Sequence, residues 1–176
     1  EKDHPFARYD KKLTELAQAK PFPYATVVVD SLTTYADAMF KEIVRQNPGI
    51  QRSKTNLAIG SSVQDYGIFA QYFKHMLTRL LQLPANVIVT GHIVTDKDEL
   101  TGEIIREPFL PGRQAPKMVP ILFEEVYRAF AEIKDGRVAY RAQTQSDGRY
   151  KCRSQIRGIP PVIDLSYATL EKFMSA

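Results

Sequence analysis

The sequence predicts an α/β protein with a mixed sheet, its central strands parallel and its carboxyl-terminal strands antiparallel. Three observations carry this reading. Two apolar runs, Ala25–Val29 and Asn86–Thr90, give way abruptly to polar residues, as strands buried on both faces of a parallel sheet do. Between them, Phe69, Tyr72, Phe73, Met76, Leu77 and Leu80 recur at helical spacing within Gln64–Leu83. Strand, helix and strand of these lengths form a right-handed βαβ unit. From Val126 onward the runs Val126–Ile133, Val138–Thr144 and Tyr150–Ser154 alternate. Asp135-Gly136 and Asp147-Gly148 separate them, a strong short-range hairpin signal.

The other elements follow in order. Phe6, Tyr9, Leu13 and Leu16 place a first helix at Phe6–Ala19, which Pro21 and Pro23 stop. Leu32, Tyr35, Ala36, Met39 and Ile43 mark one face of a second helix directly after Asp30. Asn47–Ser62 contains Pro48, Gly49 and Gly60 and reads as a loop. Ile93–Lys117 is polar, broken by Gly102, Pro108, Pro111 and Gly112, and reads as a long loop that is functional or disordered. Asp164 is placed to cap a last helix over Leu165–Met174. No repeat or interior linker divides the 176 residues, so a single domain over 1–176 is expected.

Composition narrows the class. With 44% hydrophobic and 25% charged residues the chain has the balance of a globular protein. No apolar stretch nears the roughly 20 residues that span a bilayer, so no membrane partner is expected. Cys152 is the only cysteine, which excludes an intrachain disulfide and points to a reducing, cytoplasmic setting. The first residue is Glu1, and a longer polypeptide is expected. The net charge of +4 is too mild to imply nucleic acid by itself. From Arg137 to Arg157, however, Arg137, Arg141, Arg149, Lys151, Arg153 and Arg157 face only Asp147, a local +5. Such a segment meets phosphates or an acidic subunit surface, or is a solvated hairpin face.

Metal and nucleophile motifs are sparse. His4, His75 and His92 are far apart and Cys152 has no partner cysteine, so zinc is not expected. Asp96, Asp98 and Glu99 lack the remaining spacing of a calcium loop, and there is no G-x-S-x-G elbow. The sequence also contains no G-x-x-x-x-G-K-[ST] phosphate loop.

Several segments in order resemble a RecA-like P-loop ATPase core. They are Thr26-Val-Val-Val-Asp-Ser-Leu-Thr33, Gln64-Asp-Tyr-Gly67, Asn86-Val-Ile-Val-Thr-Gly-His92 and Thr101-Gly-Glu103. Pro108-Phe-Leu-Pro-Gly-Arg113, Val119-Pro-Ile-Leu-Phe-Glu-Glu-Val126 and Tyr150-Lys-Cys-Arg-Ser154 complete the set. More narrowly, they resemble the phage-encoded ATPases of that class, including the single-strand-annealing recombinase type. The resemblance implies a RecA-like sheet with helices on both faces and ATP and Mg2+ as cofactors. It also implies a homo-oligomeric ring or filament, single-stranded DNA as partner, and the host cytoplasm as location. The amino-terminal strand, phosphate loop and following helix of that class have no counterpart among these residues and are expected upstream of Glu1.

On this resemblance Asp30 is the Walker B acid that holds magnesium, with Ser31 shaping the same rim; a strand-end Asp can instead cap the next helix. His92 takes the place of the residue that senses the γ-phosphate, assisted by Thr90, or only ties its loop to a neighbouring backbone. Ile93–Lys117 occupies the place of a DNA-binding loop, although its acids outnumber its bases and it nets −1. Arg106, Arg113 and Lys117 are its candidate phosphate contacts, and Phe109 a candidate stacking residue. Lys151 and Arg153, on one face of a predicted strand, are placed to reach a neighbouring subunit's nucleotide, with Arg113 a rival. The alternative is an edge strand whose charges block aggregation.

The expected activity is therefore magnesium-dependent ATP hydrolysis in DNA recombination or single-strand annealing. A non-enzymatic nucleic-acid-binding or assembly protein that retains the fold remains the alternative, and a DNA-packaging motor a third.

Overall fold

The computed structural model describes residues 5–46, 62–97, 102 and 104–174. The predicted Asn47–Ser62 loop therefore lies outside the described residues except for Ser62. The chain forms two compact units, Glu1–Ile93 with Pro108–Met118, and Val94–Glu107 with Val119–Ala176. The fold is mixed α/β, with five helices and both parallel and antiparallel pairing among the described residues.

In the first unit, α1 (Pro5–Gln18), α2 (Leu32–Gln46) and α3 (Val63–Leu81) pack on one another. Their shared core holds Tyr35, Ala36, Met39, Val44, Phe69, Phe73 and Leu77, all buried. Phe69 stacks on Phe73 with centroids 5.0 Å apart, and Phe40 meets Phe69 edge-on. Burial, with Asp10 adding to it, pushes the Tyr35 phenol above the ordinary tyrosine range. α3 begins with a capping box: Ser62 Oγ accepts from Asp65 N–H, and Asp65 Oδ2 accepts from Ser62 N–H. Arg79 of α3 reaches Asp10 (2.6 Å) and Thr14 (2.7 Å) on α1, joining the two helices on their polar side.

β1 (Thr26–Val29) and β2 (Asn86–Val89) pair in parallel, as expected of the βαβ unit. The expectation that both faces are buried is corrected. Val27, Val29, Val87 and Val89 are half-buried, but the opposed pair Val28 and Ile88 is 57% and 48% exposed. A continuous apolar run cannot say whether its second face is covered; that depends on what packs there.

The expected loop Ile93–Lys117 is also corrected. β3 (Ile93–Lys97) pairs with β4 (Ile104–Pro108), and α4 (Ala115–Leu122) follows a turn at Gly112. The β3 residues are all exposed, so burial alternation gave no strand signal. Pro116 and Pro120 masked the short helix. The parallel and antiparallel pairs lie in separate sheets among the described residues, not in one mixed sheet.

In the second unit, β5 (Arg128–Lys134) and β6 (Arg137–Gln143) form the expected hairpin. Asp135 and Gly136 at its turn have φ of 50° and 72°, the left-handed pair that a two-residue turn of this hand requires. The predicted third strand, Tyr150–Ser154, is reduced to one bridge between Val126 and Arg153. Instead β7 (Val162–Asp164) pairs with β6.

Two local interactions explain this change. Asp147 Oδ1 accepts from the N–H groups of Arg149 and Tyr150, curling the chain into an Asx turn and holding that carboxyl below the usual range. Thr144 then holds the returning segment, its Oγ1 donating to Pro160 carbonyl and its N–H to Pro161 carbonyl. Asp164 consequently ends a strand and does not cap α5 (Tyr167–Met174). Ser166 Oγ takes that place by accepting from Thr169 N–H. Ala142, Ile159 and Ile163 form this unit's buried core, with Tyr127, Ile156, Leu170 and Phe173 packed around them.

Candidate functional site

The β1–β2 pairing runs without stagger from Thr26 opposite Asn86 to Val29 opposite Val89. The next residues on each chain, Asp30 and Thr90, are thereby brought side by side at the carboxyl edge of the strands. In open α/β sheets this is the edge at which ligands bind. Thr90 ties the two segments three times. Its N–H donates to Val29 carbonyl (3.0 Å), its carbonyl accepts from Leu32 N–H (2.8 Å), and its Oγ1 donates to Asp30 Oδ1 (2.5 Å).

Asp30 is exposed, and its Oδ2 accepts no hydrogen bond among the described residues. The Asp30–Ser31 peptide is cis. Ser31 is buried and caps α2: its Oγ accepts from Thr34 N–H at 3.3 Å and lies 3.0 Å from Thr34 Oγ1. Capping of α2 thus falls to Ser31, and the Asp30 carboxylate is left at the rim.

His92 follows two residues after Thr90. Its N–H donates to Thr33 Oγ1 (3.0 Å) and its carbonyl accepts from Phe109 N–H (2.8 Å). The tie between loop and neighbouring backbone is therefore made by the main chain of His92, and its residue remains exposed. Thr33 was missed by sequence reasoning. Its signal was the hydroxyl-rich Ser31-Leu-Thr-Thr34 immediately after a strand, which reads equally well as ordinary capping.

The basic candidates divide between the units. In the first, Arg113 lies exposed in the turn before α4 and Lys117 is exposed on α4. Neither makes an ion pair or side-chain hydrogen bond among the described residues. Arg113 lines a cavity of about 220 Å³ between the start of α3 and the turn Pro111–Ala115. In the second unit, Lys151 pairs with Glu107 at 3.2 Å. Arg153 donates to the carbonyls of Phe123 (3.1 Å from Nε) and Ile121 (3.4 Å), completing the end of α4. Arg106 lies over the Tyr150 ring at 5.0 Å, and Arg128 over the same ring at 3.9 Å. Arg141 is shared between Glu132 and Asp164.

The donors at the rim suit magnesium. That ion takes oxygen ligands and is commonly held by one or two carboxylates together with substrate phosphates and water. Asp30 offers an open carboxylate oxygen and Thr90 a hydroxyl. No cluster of three or more His, Cys, Asp or Glu converges among the described residues, so the rim fits a cation carried with phosphate, not an all-protein cage.

An exposed carboxylate held across two parallel strand ends, with a helix starting at once, is an arrangement fit for a phosphate and its cation. The chain belongs to the AAA domain family, which matches residues 5–154. Membership supports nucleotide binding of the P-loop type and ATPase-type activity, and ATPases of this family generally use ATP and Mg2+. No curated protein and no solved structure matches the chain. Among the described residues, no helix is long and apolar enough to cross a membrane.

Proposed function

We propose that this chain is the metal-and-sensor part of a RecA-like, phage-type ATPase core acting in DNA recombination or single-strand annealing. The observation that supports it is the Thr90–Asp30 hydrogen bond across the ends of β1 and β2, which aims a carboxylate outward at the ligand edge. A magnesium ion carried with ATP would supply charge neutralisation at the phosphates. Asp30 would hold it, and Thr90 fixes the carboxylate rotamer through Oδ1. His92, with its backbone held by Thr33 and Phe109, donates from its imidazole to the γ-phosphate.

The trans role at a neighbouring subunit's nucleotide in a ring or filament falls to Lys151. Its side chain is 65% exposed, and a surface ion pair of this kind stabilises by about 0–1 kcal/mol, so it is readily given up. Arg153 is bound to carbonyls of its own unit and is less easily released. Single-stranded DNA meets Arg113 and Lys117.

The test is titration of ATP into the full-length protein with and without magnesium. Asp30→Asn keeps the shape and can still accept from Thr90. It is expected to abolish the magnesium-dependent part of the affinity, a loss exceeding the roughly 10–100-fold seen when a supporting residue is removed. Equal affinity of the wild type with and without magnesium would sink the proposal. Annealing of complementary single strands, compared with translocation on duplex DNA, separates recombination from packaging.

A further inference from the structure

One surface of α3 is built in a way that packing among the described residues does not explain. Val63, Tyr66, Gly67 and Ala70 fall at helical spacing along its first two turns and face Pro111–Ala115 across the cavity of about 220 Å³. Gly67 sits inside the helix, where glycine is the poorest ordinary helix former. A glycine in such a place lets another group come close to the backbone. Among the described residues nothing does: a Cβ built on Gly67 meets none of their atoms within 4 Å. Among them the space beside Gly67 is open.

The opposite wall is fitted closely. Gly112 has φ +74°, and a Cβ there would stand 3.1 Å from the Tyr66 ring, so this turn lies against the ring edge. Tyr66 is itself stacked on Phe40, with centroids 4.7 Å apart and planes tilted by 30°. The edge of Tyr66 and the bare backbone at Gly67 thus bound a mostly apolar slot. At its mouth stands Arg113, and Lys117 follows at the next turn; both are exposed and neither has a partner among the described residues.

We propose that this slot takes one base of a single-stranded nucleic acid, seated over Gly67 beside Tyr66, with the adjoining phosphates on Arg113 and Lys117. A flat ring carrying negative charge on both sides is the ligand that this pairing of apolar slot and free cations fits. Single-strand sites pair a surface that receives the base with basic residues that track the backbone. The slot is separate from the Asp30–Thr90 rim, although the turn that bounds it begins at Phe109, whose N–H is held by His92. The proposal rests on the single-strand partner of the functional reading above and on no part of its ATP chemistry.

The experiment measures anisotropy of labelled oligothymidylate, and of an abasic strand of equal length, with the full-length protein in the absence of nucleotide. The wild type is expected to prefer the base-carrying strand by about tenfold, at the lower end of what seating one base contributes. Gly67→Leu fills the slot with a good helix former. It is expected to raise the urea midpoint or leave it unchanged while erasing that preference, and Gly67→Ala should show a smaller loss. Arg113→Gln with Lys117→Gln should weaken both strands alike and flatten the salt dependence by about 1.4 in log–log slope. Oligothymidylate binding unchanged by Gly67→Leu would overturn the slot while leaving the DNA partner standing. Absence of single-strand binding by the wild type would overturn both. Self-association abolished by Gly67→Leu, with strand binding intact, would assign the slot to a second copy of the chain and overturn the proposal.

Discussion

At the β1–β2 rim of the first unit, two hydrogen bonds donated by Thr90, one that its carbonyl accepts from Leu32, and one from His92 N–H to Thr33 hold the scaffold and leave functional groups outward. Asp30 keeps an open oxygen, and Arg113 and Lys117 stand without partners among the described residues. In the second unit the density of charge is far higher, yet much of it is used internally. Arg141 joins Glu132 and Asp164, Lys151 joins Glu107, Arg153 binds carbonyls, and Arg106 and Arg128 flank Tyr150. Of the six cations between Arg137 and Arg157, only Arg137, Arg149 and Arg157 have no side-chain partner among the described residues. A count of charges along a chain therefore measures potential for binding, whereas the unspent valence of a few polar atoms marks where binding can occur.

Breaking the rim should have the larger consequences. After Asp30→Asn, the next effect expected is from Thr90→Val, which keeps the backbone ties and removes only the Oγ1 donor to Asp30. A loss of about 10–100-fold in magnesium-dependent nucleotide affinity should follow, as for other groups that orient a metal ligand. Unchanged affinity would mean that Asp30 needs no support from β2.

In the second unit the expected effects are on stability. Arg153→Ala frees the carbonyls of Phe123 and Ile121 at the end of α4. Because the residue is exposed, the cost should be about 1 kcal/mol, read as a lower urea midpoint at unchanged slope. If nucleotide turnover in the oligomer fell instead, with stability intact, the trans role would pass from Lys151 to Arg153.

The smallest effect concerns Tyr127. Burial, then its hydrogen bond to Glu125, pushes its phenol from 10.0 up to about 12. A group whose folded pKa is raised contributes stability that is complete below its unfolded value and is lost as pH rises through the folded one. Stability should therefore decline between about pH 10 and pH 12, less steeply in Tyr127→Phe. Phenolate absorbance separates it from Tyr35, which is also raised. A Tyr127 titration at the ordinary value would show the Glu125 contact to be weak in solution.

Much of the framework was legible because it rests on local rules. Helical spacing of Phe69, Phe73, Leu77 and Leu80 requires no distant partner to be recognised, and the observed α3 differs from its expected bounds by one or two residues. Asp135-Gly136 specifies its hairpin because few residue pairs take two consecutive left-handed conformations without strain. The abrupt end of an apolar run in Asp30 likewise marked the carboxyl edge of β1 before any partner strand was known.

Only the tertiary structure decided which polar groups remain open. Whether Asp30 or Ser31 caps α2, and whether Arg153 faces solvent or two carbonyls, depends on residues up to 60 positions away. The same holds for the capture of β7 by Thr144, whose hydroxyl donates to a carbonyl 16 positions on; the Asx turn at Asp147 is a local competitor that removes the expected third strand. Hydrogen bonds have directions and limited valence, and a competition among several acceptors for one donor is settled by where the folded chain places them. Sequence periodicity reports which faces are apolar; it carries no record of what finally covers them, as the exposed Val28–Ile88 pair shows.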